Sequence, residues 1–491
     1  MTSTRPYEAV IGLEVHAQLL TQTKQFCGCA TAYGAEPNTQ VCPVCLGLPG
    51  ALPVLNREAV AMAVRGALAL QCSIRARSVF ARKSYFYPDL PKGYQISQFD
   101  LPFSEHGYLE IPIAGGRDTK RVGVTRVHLE EDAGKNLHGV IAADGRSVVD
   151  LNRAGVPLIE IVGDPDLRSA DEAVEYLKRL REILMALEIN DGNLEEGSFR
   201  CDVNISVRPV GAKDFGTRVE VKNVNSFRHV HRAIEHELAR LTALAEAGET
   251  FPQHTRQWDD AGQRTVFLRN KEGSDDYRYF PDPDLPPLEL DDSWVAEQRR
   301  AIPELPERRR ARLVRELHLA PYDAEVLTSH PRLADFFERV LAARPHEGSW
   351  AKRAANFVMS ELLADVAYRG LEAKFPVSPA QLSELLALVD DGSISGKQAK
   401  ELYAAVVRLG PEASPASVAR ERGMAQVNDV ELLERVCAAA IAASPKQAAA
   451  YRAGKTGTIG FFVGQVMRET NGSANPAVVN ELLQRLLMGG T

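Results

Sequence analysis

Along Gly12–Leu19 (GLEVHAQL) apolar and polar residues alternate without a break: Leu13, Val15, Ala17 and Leu19 are apolar, and Glu14, His16 and Gln18 lie between them. Side chains on a strand point to opposite faces with a period of two. The stretch therefore predicts a strand with one buried face, with Glu14 and His16 together on the other. Two such positions lie about 6–7 Å apart along a strand. Both side chains then reach one polar cavity and, with further carboxylates, are placed to hold a divalent cation. In Phe199–Arg208 the apolar set is Phe199, Cys201, Val203, Ile205 and Val207, opposite Arg200, Asp202, Asn204, Ser206 and Arg208. Val219 and Val221 alternate with Arg218, Glu220 and Lys222. Weaker alternation around 121–131 and 156–162 counts Glu130, Glu131 and Glu160 among its polar members, and parity does not decide between Glu130 and Glu131. An antiparallel sheet with one covered and one open face is the simplest architecture giving this pattern.

Helical periodicity punctuates the same region. Asn56 is a predicted cap for a helix through Ala59–Leu70, and Ser169 with Glu172 reads as a capping box before Ala173, Val174, Leu177, Leu180 and Leu184. A third helix spans about 230–247 and stops at Gly248. After the proline-rich Phe280–Leu290 the character changes, and nearly every periodic segment to about 408 is helical. Gly410–Ser417 reads as a linker, and a helical tail follows, with starts at Ser444-Pro445 and Asn475-Pro476. The expected fold is α+β: an antiparallel-sheet cradle over 1–292, a helical domain over 293–409 and a small helical tail domain over 410–491.

The 491 residues, 45% hydrophobic and 25% charged with net charge −7, fit a multidomain globular chain and do not by themselves indicate a nucleic-acid binder. No apolar run of about 18 residues is present, and the first ten residues lack the apolar centre of a signal peptide. Of the seven cysteines, Cys27, Cys29, Cys42 and Cys45 form two close pairs, the spacing of a structural zinc site rather than of a disulfide framework. Four thiolates leave no open position for water, so this zinc would brace the loop after the first strand. Cys72, Cys201 and Cys437 read as core.

Three further stretches are strongly polar: RKSYFYPDLPKGYQ from Arg82, HLEEDAGK from His128 and EEGSFRCDVN from Glu195. Solvated charge explains any one alone. Together with Glu14 and His16 they pair acids able to hold a cation with Lys and Arg able to meet anionic groups, as phosphoryl transfer requires. Strand parity adds Asp202 and Glu220 to the polar faces. A Walker motif is excluded because Ala449 stands where Gly454-Lys455-Thr456 would need its glycine, and neither GxGxxG nor GxSxG appears in a suitable setting.

IGLEVHAQL, RKSYFYPDLPKGYQISQFD, HLEEDAGK, DLNRAGVPLIEIV, EEGSFRCDVNIS, EVKNVNSF, EGSDDYRYFPDPD, GFFVGQVM and NGSANPAVVNELL occur in that order. In these blocks, spread over essentially the whole chain, the sequence resembles the B subunits of bacterial-type tRNA-dependent amidotransferases. The resemblance implies that ATP phosphorylates the side-chain carboxylate of glutamate or aspartate mischarged on tRNA. Ammonia from a partner amidase A subunit then displaces phosphate, with a small C subunit completing a cytoplasmic bacterial complex. It further implies Mg²⁺ at Glu14, His16 and Glu131. Lys83, Lys92, Arg153 and Arg200 become candidates for phosphate or the terminal adenosine, and Tyr85 and Tyr87 for stacking on a base. The quartet of cysteines belongs to only part of the family. From residue 441 onward Lys446, Arg452, Lys455, Arg468 and Arg485 outnumber Glu469 and Glu481, an excess suited to a tRNA backbone. The competing expectations are a non-catalytic tRNA-binding scaffold and a metal-dependent hydrolase.

Overall fold

The computed structural model describes residues 6–116, 118–138, 147–270, 274–343, 349–366, 374–424, 430–470 and 474–489. Small parts of two quoted sequence blocks, 272–273 and 471–473, lie outside the described residues. Nine strands make the main sheet: β1 (Tyr7–Gln18), β2 (Ser73–Ile74), β3 (Ser104–Ile113), β4 (Asp118–Glu131), β5 (Pro157–Gly163), β6 (Phe199–Pro209), β7 (Val219–Lys222), β8 (His254–Asp259) and β9 (Arg264–Asn270). Their spatial order is β9-β8-β7-β6-β1-β5-β4-β3-β2. The first predicted strand is thus central, between β5 and β6. Neighbours run antiparallel except β7 and β8, which run parallel, so the sheet is mixed rather than wholly antiparallel. A connection through a long helix lets the chain re-enter in the same direction, which a tight hairpin does not.

Three helices cover one face: α1 (Arg57–Ala69), α2 (Ala170–Ala186) and α3 (Phe227–Glu246). Asn56 caps α1 by accepting from the backbone N–H groups of Glu58 and Ala59. At α2 the Ser169 hydroxyl accepts from Glu172 N at 3.2 Å, but the Glu172 carboxylate turns to Arg168 N at 2.8 Å and to Lys120. The reciprocal half of the expected capping box is therefore displaced by one residue. Beneath the helices, Leu13, Val15, Cys201, Val203, Val219 and Val221 are buried with Val64, Leu177 and Ile234, which is the apolar half of each alternating pattern. Burial of these side chains is the main force holding layer to layer.

The chain divides into two compact units between Pro306 and Glu307. Helix Asp292–Arg300 rests Trp294 and Val295 on the core of the first. The second unit is helical and has two cores: one from Leu313 to Ala419, the other from Leu433 to Leu487. Gln381 ties Gly410–Ser417 into the first of these, donating to Gly410 O at 3.1 Å and Ala413 O at 2.9 Å.

Candidate active site

Cross-strand register turns the open face of the main sheet into a ladder of polar residues. One rung runs Arg200–His16–Glu160–His128 over β6, β1, β5 and β4; Asp202 faces Glu14 on the next, and Asn204 faces Glu220. The result is two groups in which every ligand atom lies within 4.8 Å of the others: His16 with Glu130 and Glu160, and Glu14 with Asp202 and Glu220. Both line one cavity of about 480 Å³, together with Lys83, Arg126, Lys222 and the rings of Tyr277 and Tyr279.

The first group is held by a dense network. His128 Nε2 lies 3.0 Å from Glu130 Oε1 and 3.3 Å from Glu160 Oε2, and His16 Nε2 lies 3.6 Å from Glu160 Oε2. Ser97 Oγ donates to Glu130 at 2.7 Å and Gln95 Nε2 at 3.0 Å. Burial alone disfavours an imidazolium, yet Glu160 and Glu130 outweigh it and push His128 up to about 9. On the other side of the ring, Arg126 Nε donates to Nδ1 at 3.4 Å. Burial likewise disfavours ionised Glu160, but His128 and His16 hold its carboxyl well below the ordinary value. In the second group Asn204 Nδ2 donates to Glu14 at 2.9 Å, Thr255 Oγ1 to Glu220 at 2.7 Å, and Lys222 to Asp202. Asn204 is buried, and its Oδ1 has no hydrogen-bond partner among the described residues. Oxygen-rich donor sets with one imidazole suit a hard divalent cation such as Mg²⁺.

Of the residues singled out in the sequence, Glu14, His16, Asp202, Glu220 and Lys83 converge here. Glu131 does not. Adjacent strand positions face opposite ways, so with Glu130 on the open face its neighbour points to the other. There Glu131 accepts from Ile96 N at 3.0 Å and pairs with Lys92, both side chains nearly inaccessible. The side chain beside His16 is thus that of Glu130 rather than the expected Glu131, and Lys92 lies with Glu131 outside this cavity. Arg153 and Arg200 instead flank Asp132: Arg200 bonds both carboxylate oxygens at 3.0 and 3.1 Å, and Arg153 donates to Ala133 O and Gly134 O. Against burial, these guanidinium groups hold the Asp132 carboxyl down to about 2. Tyr85 packs edge-on against Tyr87 and Tyr277, with Tyr87 exposed. Lys83 Nζ sits 4.9 Å from the Tyr277 ring centre, and Glu130 and Glu160 raise its pKa against the effect of burial. Glu160, His128 and Lys222 are among the members that sequence reasoning did not select. The opposition of Glu160 to His16 is a matter of register, which one strand alone does not reveal.

The thiols of Cys27, Cys29, Cys42 and Cys45 also lie within 4.8 Å of one another, with 3.9 Å between Cys42 and Cys45. A tetrahedral zinc at about 2.3 Å from each sulfur needs sulfurs about 3.8 Å apart. Cys45 Sγ accepts from Cys42 N at 3.2 Å and lies 3.6 Å from the buried Lys24 ammonium. A hydrogen bond from Cys27, helped by that backbone N–H and by Lys24 against burial, draws Cys45 down to about 4. The loop shares a cavity of about 140 Å³ with Lys92 and Glu131. Cys72, Cys201 and Cys437 are buried, as core residues are.

Acids at metal-ligand distance, ringed by lysine and arginine on an open sheet, suit a protein that handles a polyanionic substrate. The GatB/GatE catalytic domain family matches residues 9–296, and the GatB domain family matches residues 335–487. Proteins described as the B subunit of aspartyl/glutamyl-tRNA(Asn/Gln) amidotransferase are similar over nearly the whole length. That of Geobacter sulfurreducens is 53% identical over 98% of this chain and 100% of its own. That of Halorhodospira halophila is 54% identical over 98% of this chain and 99% of its own. The chain belongs to the family of tRNA-dependent amidotransferase B subunits, components of glutamine-hydrolysing ligases of protein biosynthesis. No helix among the described residues is long and apolar enough to cross a membrane.

Proposed function

We propose that this chain carries the ATP-dependent half of a transamidation on Glu-tRNA(Gln), Asp-tRNA(Asn) or both. A carboxylate is a poor electrophile, so the reaction first needs a better leaving group. An oxygen of the aminoacyl side chain attacks the γ-phosphorus of ATP, the bond to ADP breaks, and an acyl phosphate forms. Ammonia then attacks the acyl carbon, the C–O bond to phosphate breaks, and inorganic phosphate leaves as the nitrogen gives up a proton. The observation carrying this reading is the pair of three-ligand groups facing one cavity of about 480 Å³, a volume ample for a nucleotide. His16, Glu130 and Glu160 would hold one Mg²⁺, and Glu14, Asp202 and Glu220 a second. Such ions supply neutralisation of phosphate charge. Lys83, which lines the same cavity as the first group, would meet phosphate oxygens, and Tyr85 and Tyr87 would stack on a base.

Ammonia comes in this reading from an amidase A subunit, a small C subunit completes a complex that works in the cytoplasm, and zinc in the thiol quartet braces the loop after β1. The functional parts are the cradle, the helical domain and the tail. In the tail, exposed Lys446, Lys455 and Arg468 offer tRNA phosphate contacts, whereas Arg485 is paired with Glu434 at 2.8 Å. The test is Glu14→Ala and His16→Ala in the assembled complex with ammonium supplied. The enzyme reading expects transamidation to fall about a hundredfold or more while tRNA binding persists. Unchanged transamidation would instead make the chain a tRNA-binding scaffold.

A further inference from the structure

Three of the donors that reach the Glu14–Asp202–Glu220 group differ in kind. Glu14 is held by the Asn204 amide at 2.9 Å and Glu220 by the Thr255 hydroxyl at 2.7 Å, both neutral donors on short side chains of neighbouring strands. Asp202 is held by the Lys222 ammonium, which also lies 3.8 Å from Glu220 Oε1. Three carboxylates this close repel one another, and one ammonium among them offsets part of that charge. A divalent cation among the same oxygens does so more fully, and it then repels Lys222. The neutral donors have no such conflict and stay. Lys222 is also the holder with the means to leave: its side chain is 34% exposed on a flexible stem and lines the same cavity as the acids.

We infer that Lys222 is a displaceable counter-ion: it keeps the three acids in a metal-ready arrangement, yields Asp202 to the entering divalent ion, and re-pairs with a phosphate group of the nucleotide. Lys222 is thus a positioning residue that links metal entry to nucleotide arrival, and Asn204 and Thr255 form the fixed part of the frame. This rests on reading the open face as a divalent-cation site. Its consequence is specific. Without nucleotide the ion must compete with Lys222, and with nucleotide it need not.

The experiment measures Mn²⁺ binding to the full-length chain by electron paramagnetic resonance, with and without a non-hydrolysable ATP analogue. Glu220→Gln assigns which of the observed sites is this group. In the native chain the analogue should tighten Mn²⁺ at this site about tenfold, an ordinary size for coupling between two ligands. Lys222→Gln should bind Mn²⁺ about tenfold tighter without analogue and gain little when it is added, whereas Lys222→Arg should behave as the native chain. A second measurement needs no variant: mild acetylation followed by mass spectrometry should label Lys222 faster when Mn²⁺ is added and slower again with the analogue. Should no Mn²⁺ site disappear in Glu220→Gln, the cation reading of this face fails. Should the site be there, with its affinity and the Lys222 labelling rate indifferent to each other, the counter-ion inference alone is overturned.

Discussion

The thiol loop and the acid-lined face both gather ligand atoms within 4.8 Å, and they are built in opposite ways. The loop draws all four sulfurs from residues 27–45 and closes on itself, with Cys42 N bonded to Cys45 Sγ, Leu46 N to Cys42 O and Lys24 N to Cys29 O. The face draws its ligands from β1, β4, β5, β6 and β7, segments far apart in the chain that meet only once the sheet has formed. An ion in the loop would hold together a segment with little apolar core of its own. An ion on the face would add little to a sheet already clamped by helices, and its worth would lie in the charge it brought to a substrate. Stability and chemistry should therefore separate when the two are stripped and refilled one at a time.

The largest effect is expected from that stripping. After exhaustive chelation, transamidation should vanish and the melting temperature of the first unit should fall by roughly 5–10 °C, as loss of a structural metal would give. Mg²⁺ alone should restore activity at low temperature and leave the melting temperature depressed. Zinc alone should restore the melting temperature without activity. The contrast breaks if one ion restores both, or if cold activity depends on zinc.

A smaller effect separates the two groups on the face itself. His128 carries the charge that holds Glu130 and Glu160 together, and its pKa is pushed up from the ordinary 6.5 to about 9. A group raised in the folded state contributes stability that is fully present below its unfolded pKa and is lost as pH rises through the folded one. In chelator, the native chain should lose a few degrees of melting temperature between pH 6.5 and 9.5. His128→Gln should lose less over that window, keeping the part that belongs to His16, whose pKa Glu160 also raises against burial. Adding Mg²⁺ should flatten the native profile too, because a cation on Glu130 and Glu160 replaces the proton. Coincident profiles for native and variant chains would show that the imidazolium is not the stabilising species.

How much of this was legible follows from how local each feature is. The thiol quartet could be read directly because its spacing is its chemistry. Alternation in β1, β6 and β7 named which face Glu14, His16, Asp202 and Glu220 occupy, because in a half-covered sheet the buried side must be apolar. Caps at Asn56, Ser169 and Ser226 mark helices that cover that side; the first two were visible as local patterns. Register was not legible: nothing in 156–162 says that Glu160 will lie opposite His16, since that is decided by the turns and by packing under the sheet. The parallel pairing of β7 with β8 was equally hidden, because the two strands carry no mark of the direction in which they meet. Nor did Gly410–Ser417 announce itself as part of a core, since its attachment depends on Gln381, some thirty positions earlier.

Glu130 and Glu131 give the finest test of the contrast, since the two residues are neighbours and identical in chemistry. The sequence block HLEEDAGK offers both, and the family resemblance pointed to Glu131. In β4, however, His128 and Glu130 share the open face with Glu160, and Glu131 turns under it to Lys92 and Ile96 N. Glu130→Gln should weaken Mn²⁺ binding at the His16-containing group at least tenfold, because a carboxylate ligand is replaced by a neutral amide. Glu131→Gln should leave every Mn²⁺ affinity within about twofold, because this side chain faces away from both acid groups, toward Ile96 N and Lys92. It should still lower the melting temperature, since the buried Lys92 ammonium loses the charge it is paired with. Metal binding and stability then move in opposite columns for two adjacent glutamates, which a loosely ordered acidic patch does not produce. If instead Glu131→Gln loosened Mn²⁺ as much as Glu130→Gln, the strand would have to present both side chains to one ion, and the parity on which the whole face is built would not hold.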